Sequence, residues 1–195
     1  MKKLLFALVA ICCMTTLQAQ KTTGDLSPLK DQTQINIKFD YTGVTYDGDS
    51  EEKYLKEEDN AKDAQWKKSW TSTFRTSIWE PRLTEDINNE LVKKGVKCGS
   101  FPKATYTMVV KIKDIDPGTF AGPMSMPSKI TGVATVYKTG TKDEIGAIEF
   151  KNVAGNPYFM TPKIEARVGE AFSNVGKVIG KRRSEEHTSE LQSPQ

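Results

Sequence analysis

Ile35-Asn36-Ile37-Lys38-Phe39-Asp40-Tyr41 alternates apolar with polar residues, the period of a strand with one buried face. Farther along, Trp66, Trp70, Phe74 and Ile78 recur at every fourth position, which marks one face of a helix. These two periods, met in that order, decide the fold. A helical crossover after the first strand lets that strand pair in parallel with a later one. Period two then returns. Tyr106, Met108, Val110 and Ile112 alternate up to Asp116-Pro117-Gly118, and the apolar runs 130–137 and 145–153 flank Thr139-Gly140-Thr141-Lys142-Asp143 as a hairpin.

The remaining signals fill in around this frame. At Gly43 the strand phase slips by one, because Val44 and Tyr46 now hold the apolar positions, and a bulge there absorbs the slip. Pro81 should kink or end the first helix, since it lacks a backbone donor. A second apolar row, Leu83, Ile87 and Leu91, runs on to the stop signal Lys93-Lys94-Gly95. Thr161 and Pro162 open a last helix whose buried stripe is Ile164, Val168, Phe172, Val175 and Ile179. Its Ala166, Gly169 and Gly176 are small enough for close packing on the sheet. The expected fold is α+β: a two-layer sandwich of order β-α-β-β-β-α, with a mixed four-stranded sheet and its helices on one face.

Both ends of the 195-residue chain read differently from the middle. Lys2 and Lys3, the apolar run 4–14 and the small Ala19 have the three parts of a secretory signal, so residues 1–19 are expected to be removed. Lipidation at Cys12 or Cys13 is the alternative, disfavoured by the bulky Ile11 before them. Residues 20–33 lack periodicity and read as a flexible leader, leaving 34–182 as a single domain. Residues 183–195 resemble the in-frame translation of a sequencing-library adapter, an artefactual tail that includes the sole histidine, His187.

Charge and chemistry exclude more than they assign. Twenty-eight basic against 25 acidic residues, evenly mixed, is no footprint of a nucleic-acid binder. Without a histidine in the domain there is no Ser-His-Asp or Cys-His pairing, and Cys98 reads as a small filler. No phosphate-cradling glycine motif is present, so no cofactor is expected. Asp47, Asp49, Glu51 and Glu58 stand at positions 1, 3, 5 and 12 of a candidate calcium loop, but Glu52 holds the sixth position, where the sharp turn needs glycine. Met124 and Met126, with Met160, have the soft sulfur ligands that Cu(I) takes. The stronger reading joins them to Phe120 as an adaptable apolar contact surface on the loop 117–127.

In element order and export signal, residues 34–182 resemble exported bacterial α+β domains and, more distantly, the N-terminal domain of TolB and the curli-secretion lipoprotein family. The resemblance carries no motif and implies no site residues. The function expected is that of a non-enzymatic, exported interaction or accessory module in the periplasm or cell envelope, with a protein partner and no membrane span in the mature chain. Two other classes compete. One is a hydrolase of envelope glycans that uses carboxyl groups alone; the other is a small-ligand or glycan-binding module stacking sugar on an exposed Trp79.

Overall fold

The computed structural model describes residues 21–58, 64–158 and 161–189. The expected secretory signal, Met160 and the last six residues lie outside them. Strands β1 (Lys21–Gly24), β2 (Gln34–Asp40), β3 (Thr45–Tyr46) and β4 (Asp49–Ser50) precede helices α1 (Glu51–Glu57), α2 (Ala64–Thr71) and α3 (Glu80–Leu91). Strands β5 (Lys97–Gly99), β6 (Tyr106–Asp116), β7 (Lys129–Lys138) and β8 (Glu144–Ala154) follow, and α4 (Ile164–Ser189) comes last.

The protein is α+β, and its core topology is the one the periods imply. β2 pairs in parallel with β6, while β6, β7 and β8 form an antiparallel meander. Among the described residues, however, the sheet has eight strands rather than four, in the order β1-β8-β7-β6-β2-β5, with β3 attached beside β6 and β4 beside β3. The additions are two to four residues long, too short to show a period. β1 is the largest correction. The 20–33 stretch, read as a flexible leader, pairs its Lys21–Gly24 antiparallel with β8 and buries Leu26 and Leu29. The slip at Gly43 is a full break: the chain turns there and resumes as β3, opposite a register shift between Ile112 and Asp114 in β6.

Alternation sorts the sheet into two faces. Met108, Val110 and Ile112 of β6 are buried with Ala134 and Val136 of β7 and Ile148 and Phe150 of β8, under α3 and α4. On the opposite face lie Lys38, Lys111 and Glu149, with Lys111 Nζ 3.6 Å from an Asp40 oxygen. All five stripe residues of α4 are buried. The glycines do different work from that expected, because Gly176 abuts α3 and not the sheet. A Cβ there would meet the Leu83 carbonyl oxygen at 2.3 Å. Arg82 and Glu170, 2.6 Å apart, also tie the two helices. The backbone of α4 runs past Arg182 to Ser189, over a stretch that includes good helix formers.

Between α2 and α3 the chain makes a π-helical turn over Arg75–Trp79, and Pro81 follows directly in the first turn of α3. The extra residue in the wide turn moves the apolar phase from Ile78 to Trp79, which continues as Leu83, Ile87 and Leu91. Trp79 is therefore fully buried, stacked 5.5 Å from Phe172 with its indole N–H donated to the Glu165 carbonyl at 2.9 Å. It offers no surface for a sugar.

Candidate functional site

The loop between β6 and β7 is built as a fixed base and an exposed tip. At the base, Ser128 Oγ donates to the Pro117 carbonyl at 2.6 Å, and Gly118 N–H donates to Asp116, whose carboxylate lies 3.0 Å from Lys129 Nζ. Gly118 has φ +65°, and a Cβ on it would lie 2.4 Å from the Met126 carbonyl oxygen, so the two arms cross where only glycine fits. From below, Arg167 of α4 donates to the Thr161 carbonyl at 2.6 Å and reaches the Pro117 and Gly118 carbonyls at 3.5 Å. This guanidinium is 5% exposed, and burial disfavours its charge. It joins the loop base to the segment leading into α4.

The tip is ordered by its own hydrogen bonds. Thr119 and Met126 exchange both backbone bonds at 3.0 Å, and Ser125 Oγ accepts from Ala121 N–H while donating to the Gly122 carbonyl. The three proposed contact residues do not fold back onto the core: Phe120 is 48%, Met124 80% and Met126 52% exposed. Tyr158, 93% exposed, lies on the turn after β8, next to this base through the Gly155–Ser128 backbone bond. Tyr158 was not among the contact residues expected from the sequence. The Asn156-Pro157 turn signal before it was the available clue. Four large apolar side chains thus share one end of the sheet, on loops braced from below.

The acidic residues read as a calcium loop are separated by the fold. Residues 51–57 are helix α1, so the run from Glu51 to Glu58 cannot wrap a cation as a loop does. Asp49 pairs with Lys53 at 2.7 Å, and Glu51 pairs with Arg75 while accepting from the Tyr46 hydroxyl at 2.8 Å. Arg75 also lies 4.2 Å over the Tyr41 ring. Among the described residues no three His, Cys, Asp or Glu side chains converge on one point. Behind Glu51, Tyr46, Tyr54, Trp70, Trp79 and Phe172 follow one another at ring separations of 4.9–5.5 Å, a continuous aromatic core. Cys98 is buried, as a filler would be.

A second feature lies at the other side of the sheet. An open groove of about 620 Å³ runs between β2 and α3, lined by Ile37, Phe39, Glu80, Thr84, Glu85 and Asn88 among others. Glu80 and Glu85 are the two carboxyl groups among its lining residues. Five residues apart, they are about 140° around the helix axis from each other and do not converge on one reacting bond. Burial pushes the Glu80 carboxyl above its ordinary value, against the opposing pull of the Tyr41 hydroxyl and Arg75. A carboxyl whose pKa is raised on folding is ionised more readily in the unfolded chain. It therefore lowers stability as pH rises from the ordinary glutamate value. Glu80→Gln should then gain stability relative to the parent between pH 4 and pH 7, measured by urea unfolding at both. A gap that narrows with rising pH would contradict this.

No protein family matches the sequence, and no curated protein or solved structure matches the chain either. Among the described residues, no helix is long and apolar enough to cross a membrane.

Proposed function

We propose that this chain is an exported cell-envelope protein that works without catalysis, as an interaction module docking a protein partner through Phe120, Met124 and Met126. The observation that carries the reading is the contrast between the loop's base and its tip. Arg167, Ser128 and Asp116 fix the base, yet the side chains at the tip stay in solvent. A loop that merely filled space would fold its apolar residues inward. Covering Met124 alone would gain roughly 1.5–3 kcal/mol, and a tip already ordered spends little of that gain on its own immobilisation. Methionine also repacks readily against partners of differing shape. The expected export signal supports a contact in the periplasm or cell envelope, and the resemblance to the TolB and curli-secretion domains belongs to the same proposal.

The test replaces Phe120, Met124 and Met126 together with serine. The variant should melt within a few degrees of the parent, because these side chains contribute little to the core. Its cross-links to envelope proteins should fall about tenfold or more, as loss of a central apolar contact predicts. Unfolding of the variant would make the tip part of the core, and unchanged cross-links would place the contact elsewhere.

A further inference from the structure

We propose that the open edge of β2 beside α3 takes an extended segment of a partner polypeptide bearing a lysine or arginine, added to the sheet in line with β5. β5 covers β2 only at Gln34–Asn36, and the chain then leaves at Gly99, with Phe101 N–H turned back to the Gly99 carbonyl and Asn36 Oδ1. β6 pairs with β2 on the other side as far as Asp40. Along a parallel strand, alternate residues aim their N–H and C=O to the same side. The Thr33 carbonyl accepts from Lys97 N–H, so the Phe39 N–H and C=O, six residues on, aim to that side too. There, among the described residues, they meet the groove and no strand.

The way the fold treats the neighbouring edge shows what this one lacks. Asn88 donates its side-chain amide to the Cys98 carbonyl at 3.0 Å and accepts from Cys98 N–H at 2.7 Å, closing the outer edge of β5 as another strand would. Glu80 and Thr84 stand on the same face of α3, about two turns and one turn earlier, and leave the groove open above Ile37 and Phe39. Uncovered edges of this kind are templates for strand addition. Charge selects the occupant: Glu80 and Glu85 line the groove, and among the described residues no lysine or arginine does. A cationic side chain on the helix-facing side of the added strand would meet one of these carboxylates.

The full chain is titrated with three capped hexapeptides: one alternating valine with lysine, its glutamate counterpart, and the lysine peptide N-methylated on alternate amides. The lysine peptide should bind saturably, about tenfold or more tighter than either other peptide, and should slow hydrogen exchange at the Phe39 amide. Glu85→Lys, at an exposed position, should keep the parent melting temperature and reverse the preference toward the glutamate peptide. Absence of saturable binding below about 1 mM, equal affinity for the lysine and glutamate peptides, or binding that leaves Phe39 exchange unchanged would each overturn the proposal. None of these outcomes touches the Phe120–Met126 tip.

Discussion

Phe172→Ala should destabilise the protein by about 3–5 kcal/mol, the usual cost of emptying a buried aromatic site. Phe172 lies where the two layers meet: its ring stacks on Trp79 from the helical layer, and its neighbours on the stripe, Val168 and Val175, are fully buried. Removing it takes away both the transfer energy of the ring and one partner of an aromatic chain reaching to Tyr54. Collapse of the surroundings would be resisted by Trp79, which the Glu165 carbonyl holds through its indole N–H. Equilibrium urea unfolding checks the figure. A loss under about 1 kcal/mol would mean that α4 does not carry the core.

Gly176→Ala should reverse the sign that helix propensity predicts. At an open helical position, glycine to alanine gains about 1 kcal/mol. Here the new methyl would sit 2.3 Å from the Leu83 carbonyl oxygen and 3.0 Å from Asp86 Cβ, and a backbone oxygen cannot swing away as a side-chain end can. Relief requires α3 and α4 to separate, which strains the Arg82–Glu170 pair between them. The expected net loss is about 1–3 kcal/mol, the usual cost of overpacking, read by the same unfolding measurement. A stabilised variant would show that the two helices lie farther apart than described.

The fold was legible where elements were long enough to show a period. β2, β6, β7, β8, α3 and α4 could all be placed from their apolar spacing, and the parallel pairing of β2 followed from the crossover. β5 could not, because its three residues have no period and it is held from outside by Asn88. β1 was hidden for another reason: Lys-Thr-Thr-Gly carries no apolar pattern, and only its ladder with β8 makes it a strand. Trp79 misled because a π-turn changes the phase by one residue, and nothing in local composition announces such a turn. At the candidate site, the prolines, glycines and methionines of 117–127 pointed to a projecting loop. Its anchor, Arg167, lies far away in sequence and could not be inferred. The acidic run was read as a loop because its spacing suits calcium, whereas Ser50 caps a helix there by accepting from Lys53 N–H at 3.2 Å.

The most direct test of the proposed contact surface is site-specific photocross-linking in envelope extracts, with the reactive group placed at position 124 and, as control, at position 142. Lys142 lies on the exposed β7–β8 turn, at the opposite end of the sheet from the tip. The account predicts discrete adducts from position 124 that disappear when Phe120 and Met126 are both serine, and none in common from position 142. Adducts from position 142 alone, or the same adducts from both positions, would contradict it.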